Sequence, residues 1–222
     1  MTASVFHEVW RDELTARLAA IEPRRLPLDD RTAAAVTLAV VPGDAPGDAP
    51  GDVGDAGGSP AAVVLTRRSK GLRRHGGQFA LPGGRLDPGE TVETAGLREL
   101  AEEVDLQLGP ERILGRLDDF VTRSGFLITP LVVWGDASEL SPADGEVAKI
   151  YRVPVSDLGR PKALIKTRIF PLQGALPALN LESVGTYVFC PTAAILHQFA
   201  ELAVHGRHTP VADFRQPAFA WR

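Results

Sequence analysis

The sequence predicts an α/β fold, a mixed β-sheet flanked by helices, and three observations carry that prediction. Apolar, β-rich runs at 33–41, 61–66, 127–134 and 147–153 crowd the middle of the chain. Helical periodicity accompanies them at 5–21, 91–104 and 192–205. With 222 residues, 44% apolar and 23% charged, the composition is ordinary globular and supplies one substantial core.

Taken in order, Val9, Leu14, Leu18 and Ile21 recur near helical spacing between Val5 and Ile21, and Pro23 stops that helix. Ala33 to Val41 reads as a strand. Pro42-Gly43-Asp44-Ala45-Pro46 then opens an imperfect Gly-Asp-Ala-Pro repeat that runs to Pro60 and has almost nothing to bury. It is expected to be a disordered loop at about 42–60 inserted between two strands of one sheet, because strand Ala61 to Thr66 resumes at once and long surface loops add little closure entropy. A glycine-rich segment, Gly71 to Gly89, leads into a helix from about Thr91 to Val104 with Leu97, Leu100, Ala101 and Val104 spaced for core packing. Arg116 to Thr122 and Leu127 to Trp134 read as strands around a Ser124-Gly125 turn, followed by a third from Val147 to Val153. Thr192 to His205 is a final amphipathic helix with Ala194, Ile195, Phe199 and Leu202 facing inward. In the tail at about 208–222, Phe214, Phe219 and Trp221 could dock on the core or on a second subunit, which leaves a homodimer open.

Composition excludes several classes of partner. A net charge of −4 provides no basic surplus of the kind that nucleic acid or an anionic membrane selects. No apolar run approaches the 18 or so residues needed to cross a bilayer, and Arg11, Asp12 and Glu13 interrupt any secretory h-region. The single cysteine, Cys190, permits neither an internal disulfide nor a cysteine-built zinc site, and it reads as a small buried side chain. These features predict a cytoplasmic protein acting on a small molecule.

The chemistry-bearing segment is Gly84-Arg-Leu-Asp-Pro-Gly-Glu90, then seven residues, then Arg98-Glu99-Leu100-Ala101-Glu102-Glu103. This spacing puts the carboxylates of Glu99, Glu102 and Glu103 on one helix face, expected opposite Leu97, Leu100 and Val104. Like charges so placed oppose a helix by about 0.2–0.5 kcal/mol per pair, and the helix dipole disfavours acids near a C-terminus. Something positive must compensate. A hard divalent cation, Mg²⁺ or Mn²⁺, takes oxygen ligands from such a cluster, bridges to phosphate oxygens and makes a bound water more acidic. The Pro82-Gly83-Gly84 turn allows close backbone approach, and Arg98 could pair with Glu90 to hold the glycine loop against the helix.

This pattern resembles the Nudix box, the signature of hydrolases of nucleoside diphosphates linked to another group. Only its final glycine is absent, replaced by Asp105. The resemblance implies a Nudix-type α/β/α sandwich, a single hydrolase domain over 1–222, with the metal held by Glu99, Glu102 and Glu103. Arg98 is a further candidate for the catalytic set.

A second signal lies upstream, where Arg67, Arg68, Lys70, Arg73 and Arg74 make a basic run on an acidic chain. Leu65-Thr66-Arg67-Arg68-Ser69, three residues, Arg73, three residues, Gly77, three residues, Leu81-Pro82-Gly83-Gly84 resembles the motif of the coenzyme A diphosphatase branch, with Leu81 replacing the usual Phe. That resemblance implies cleavage of coenzyme A or acyl-CoA to 3′,5′-ADP and 4′-phosphopantetheine. Candidates for substrate phosphates are Arg67, Arg68, Arg73 and Arg74, assisted by His75, with Gly83 and Gly84 approached closely. Similarity extends to 24–28, 122–126 and 192–196 and lapses in the insertion, in 161–183 and after Arg207. The general base is Glu99 or a carboxylate outside the box, for which Glu146 is the candidate. Two other readings remain: a pyrophosphatase of ADP-ribose, a nucleotide sugar or a dinucleotide, and a non-catalytic nucleotide-binding module.

The glycine absent from the box would cap the helix with positive φ, a conformation that Asp tolerates at a cost on the order of 1 kcal/mol. Asp105→Gly is therefore expected to raise the melting temperature and leave turnover unchanged, as read by thermal denaturation and rate assays on the same preparation.

Overall fold

β1 (Thr32–Pro42) is the strand about which the fold is built, and its two edges are used differently. This computed structural model describes residues 4–44, 59–71, 76–136, 139–168 and 175–217. One edge of β1 runs parallel to β7 (Phe126–Trp134), from Thr32 opposite Phe126 to Val40 opposite Trp134. The other edge is divided. Ala34 to Val36 pair antiparallel with β4 (Gly83–Arg85), and Val40 to Pro42 with β2 (Ala61–Arg68). Thr37 stands at the fork, its N–H donating to the Pro82 carbonyl at 2.8 Å. β2 also pairs with β3 (Phe79–Ala80) and β8 (Val147–Pro154), while β5 (Ile113–Arg116) and β6 (Phe120–Val121) pair with β7.

Alternate residues of β1 serve opposite faces. Leu38 and Val40 join an apolar cluster with Leu14 and Leu18 of α1 (Glu8–Ala19) and Leu196 and Phe199 of α4 (Thr192–His205). Ala39 and Val41 join a second cluster with Leu100 and Val104 of α2 (Val92–Val104). Helices therefore cover both faces of a mixed sheet, the α/β/α layering expected. Gly96 lets α2 lie close to that sheet, since a Cβ there would stand 2.7 Å from Leu131 Cδ1.

Two expected elements differ. The strand expected over 116–122 is interrupted at 117–119, where the Asp118 and Asp119 carboxylates accept the backbone N–H groups of Arg24 and Leu26 at 2.8 and 2.9 Å. That clasp ties the incoming segment to the sheet and takes priority over the ladder. Val9, expected on the apolar stripe of α1, is 62% exposed, and Trp10 takes the inward role with its ring centroid 5.9 Å from that of Trp134.

From Leu164 to Phe189, a span that includes most of the stretch where family similarity lapses, the chain forms a second sheet. β9 (Leu164–Thr167), β10 (Leu176–Leu181) and β11 (Thr186–Phe189) pair antiparallel, and Leu179, Leu181 and Val188 enter the α1/α4 cluster. β1 and β2 are hairpin partners, as expected for strands on either side of the insertion. Residues 45–58, together with Arg73, Arg74, His75, Phe219 and Trp221, lie outside the described residues. Phe214 docks on the chain's own core and stacks on His197, centroids 5.7 Å apart. Cys190 is buried, and burial pushes its thiol up to about 12, which leaves it without nucleophilic character. No described helix is long and apolar enough to cross a membrane.

Asp157, in the short helix α3 (Val155–Leu158), fastens the second sheet to the first. Its carboxylate accepts the Ser183 N–H at 2.9 Å, the Ser183 hydroxyl at 2.6 Å and Arg160 Nε at 2.8 Å. Burial opposes ionisation of this carboxyl, but the donors outweigh it and hold its pKa below the ordinary aspartate value. A folded-state pKa below the unfolded one stabilises the fold above about pH 4, and the contribution is lost as pH falls through the folded value. Asp157→Ala is expected to cost about 1–3 kcal/mol at pH 7. Its difference from wild type should shrink as urea titrations move into the acid range.

Candidate active site

Thr91 starts α2 by accepting the Thr94 N–H on its hydroxyl at 3.2 Å. Asp105 ends it in the left-handed conformation, φ 58°, with its N–H donating to the Ala101 carbonyl at 3.1 Å, as anticipated for the residue standing in place of glycine. Between these caps one guanidinium organises the acids. Arg98 Nε and Nη2 donate to the two oxygens of Glu90 at 3.0 and 3.1 Å, and Nη1 donates to Glu99 and Glu102 at 3.0 Å each. Nη2 also reaches the Arg85 carbonyl at 3.2 Å, so the β4 loop is held against α2. The Arg98 fork, helped by the Asp87 N–H, holds the Glu90 carboxyl below its ordinary pKa, and Glu90 in turn raises that of Arg98.

Glu103 corrects the helix face expected from spacing. It is only 4% exposed and sits with Leu100 and Val104 on the inner side, not opposite them. Seven residues, two helical turns, separate it from Gly96, so it inherits the inward direction of that glycine. Its carboxylate receives a backbone hydrogen bond from Gly83 and lies 3.5 Å from Arg68 Nη1. Burial pushes its pKa up to about 7, with Arg68 pulling down and Glu99 and Glu146 adding to the rise. Burial likewise raises Glu99 against the pull of Arg98, and Glu102 and Glu146 contribute to that rise. Glu102 is exposed on the outer flank. Glu146, exposed at the start of β8, thus stands within electrostatic reach of two box glutamates, its carbonyl accepting the Ser69 N–H at 2.8 Å.

Gly83 and Gly84 form the floor between these groups. A Cβ on Gly84 would lie 2.2 Å from Glu99 Oε1, so the carboxylate occupies the space a side chain would fill. Gly83 has φ +154°, and a Cβ there would meet the Ala35 carbonyl oxygen at 2.2 Å and Val36 Cα at 2.7 Å. A cavity of about 360 Å³ adjoins the glycines, walled by Phe79, Leu81, Phe126 and Ile195 and lined also by Arg68 and Arg85. The Arg85 guanidinium lies over the Phe126 ring at 5.1 Å. Arg67 and Arg68, neighbours on β2, part company. Arg68 faces Glu103 with its buried Nε unpartnered among the described residues, whereas Arg67 lies over the Phe79 ring at 5.7 Å.

The structure therefore gathers Arg68, Gly83, Gly84, Arg98, Glu99, Glu102, Glu103 and Glu146 around one place and turns Arg67 away from it. Among the described residues no three carboxylate, imidazole or thiol groups are close enough to grip an ion as they stand, and Arg98 spans Glu99 and Glu102. The aromatic and aliphatic walls went unseen in the sequence because β3, β7 and α4 supply them from distant positions. Only Phe79, two residues before Leu81-Pro82-Gly83, offered a local signal.

Comparison with known proteins accords with this geometry. The sequence profile described as NUDIX domain matches residues 53–172, more than half of the chain. The chain belongs to the Nudix hydrolase family. It is 36% identical over 146 residues to Nudix hydrolase NudL of Pectobacterium atrosepticum, covering 62% of this chain and 73% of that one. It is 32% identical over 124 residues to Nudix hydrolase 3 of Caenorhabditis elegans, covering 54% and 52% respectively. Several relatives, including the NudL of Photorhabdus laumondii at 40% identity over 97 residues, are spanned over only about half their length. A solved MutT/nudix family protein from Enterococcus faecalis aligns at 17% identity over 88% of this chain and 66% of its own, with a TM-score of 0.49. In this Nudix hydrolase the matched stretch stops before β10, β11 and α4, so the Ile195 wall of the cavity lies beyond it.

The two glycines should separate under substitution. In Gly84→Ala the new methyl meets the movable end of Glu99, so folding is expected to survive. A carboxylate displaced by about 1 Å would lower turnover about a hundredfold. In Gly83→Ala the methyl meets backbone, and a loss of about 3 kcal/mol in chemical denaturation is expected.

Proposed function

We propose that this Nudix hydrolase cleaves the diphosphate linkage of coenzyme A or an acyl-CoA, with Mg²⁺ or Mn²⁺ bound, to give 3′,5′-ADP and 4′-phosphopantetheine. One observation carries the reading: side-chain-free backbone at Gly83–Gly84 with the acids of α2 against one part of it and the Arg68-lined cavity adjoining it. A phosphoanhydride lying across those glycines would meet carboxylates on one side and, on the other, a guanidinium whose Nε has no partner among the described residues. The apolar walls beyond suit an extended, weakly polar arm.

The donor set suits a hard divalent ion, because Glu99, Glu102 and Glu103 offer oxygen alone and the absent Gly84 side chain leaves Glu99 room beside the backbone. Held by these three, the ion would supply charge neutralisation and a more acidic water. Glu146 or Glu99 would accept the proton of the attacking water. Arg68 would orient the diphosphate oxygens, a task suited to a planar fork. Arg73 and Arg74, from the same basic run, are further candidates for phosphate contact. Arg98 acts by positioning, since its donors are committed to Glu90, Glu99, Glu102 and the Arg85 carbonyl.

A hydrolysis panel with Mg²⁺ or Mn²⁺ tests the reading on coenzyme A, acyl derivatives, ADP-ribose and NADH. Coenzyme A is expected to yield the two named products by chromatography. Intact coenzyme A alongside cleaved ADP-ribose or NADH would move the substrate to another nucleotide diphosphate. The double substitution Glu102→Gln, Glu103→Gln should abolish metal-dependent turnover with the circular dichroism spectrum retained, and unchanged hydrolysis would place the chemistry elsewhere.

A further inference from the structure

A second cavity, of about 300 Å³, adjoins the first and shares Phe79, Pro191 and Thr192 with it. Phe79 thus lines both spaces. The far wall is β11, the strand of the small sheet that lies past the matched stretch together with β10. Two side chains that line this cavity, Tyr187 of β11 and Arg67 of β2, have chemistry that the site beside Gly83–Gly84 does not use. Tyr187 lines the cavity and is 47% exposed. An exposed tyrosine is ordinary by itself, but this one shares its cavity with a cation. The hydrogen bond that Arg67 makes among the described residues is a long one, 3.4 Å from Nε to the Gly77 carbonyl, and the guanidinium rests over Phe79. Among the described residues its Nη groups have no hydrogen-bond partner, which leaves them for a ligand.

We propose that this second cavity binds a phosphorylated nucleoside end of the substrate, with the base stacked on Tyr187 and a sugar phosphate held by Arg67. Base faces stack on aromatic rings, and a guanidinium fork matches phosphate oxygens. The adjacent arginines of β2 then divide the phosphates, Arg68 serving the linkage to be cleaved and Arg67 the additional one. The inference rests on the functional reading above for the identity of the substrate, and it accounts for how a substrate with an extra phosphate would be told from one without.

Calorimetric titration of the full chain with adenosine 3′,5′-bisphosphate and with AMP tests it without any need for turnover. The bisphosphate is expected to bind about tenfold or more tightly than AMP, the margin of one charge-assisted contact. Arg67→Gln should erase that margin and leave AMP affinity as it was. Tyr187→Leu should weaken both nucleotides about tenfold, while Tyr187→Phe, which keeps the ring, should not. Thermal melts matching wild type would show that the variants fold. Equal affinity of the wild type for the two nucleotides, binding of neither, or folded variants indistinguishable from wild type would overturn the proposal. Selective bisphosphate binding without coenzyme A cleavage overturns only the substrate reading, and cleavage with binding unmoved by the variants overturns only this one.

Discussion

Five hydrogen bonds from the Arg98 guanidinium hold an acidic helix end against a glycine strand, and the rest of the site depends on that contact. Glu90, Glu99 and Glu102 would otherwise repel one another across the β4–α2 junction. A charge hub of this kind is weak evidence for stability, because desolvation offsets much of the attraction, but removal of its centre would strand several partly buried carboxylates. Its consequence is geometric. The hub fixes where Glu99 and Glu102 point and leaves Glu103, which it does not reach, to Arg68 and to the Gly83 backbone.

The divided edge of β1 is the topological counterpart of that hub. A strand that pairs with β4 over Ala34 to Val36 and with β2 over Val40 to Pro42 leaves a fork at Thr37, and Pro82 closes it. Backbone at such a fork can be approached from both sides only if it carries no side chains. Gly83 is pressed onto Ala35 and Val36, and Gly84 cedes its Cβ volume to Glu99. The same fork brings Arg68, at the end of β2, beside the end of α2, although 35 residues separate it from Glu103. The second sheet enlarges the cleft from a direction that no part of the box specifies, because its apolar residues are held in the α1/α4 cluster.

Much of this was legible in the chain. The α4 limits, Thr192 to His205, match those expected, and α2 differs by a single residue because Thr91 is its cap and not its first turn. Strands β1, β2, β7 and β8 lie where alternation and β-branched runs put them. The left-handed Asp105 was legible because a missing glycine leaves a backbone demand behind. Harder to read were residues whose role depends on a distant partner. Asp118 and Asp119 sit in a strand-like stretch, and only the arrival of Arg24 and Leu26 makes the break favourable. Glu103 reads as one more metal-binding acid on the outward face with Glu99 and Glu102 until Gly96 presses the helix onto the sheet and turns the position inward.

By itself the sequence determined the residue types that meet at the site and their spacing along α2, because helical period and glycine permissiveness are local properties of the chain. The tertiary structure alone decided which carboxylate is buried, which of two adjacent arginines faces the acids, and that β11, past the matched stretch, walls a second cavity. Those outcomes depend on packing between elements far apart in sequence, and burial, which raises Glu103 and Glu99 above ordinary carboxylates, exists only once those elements meet.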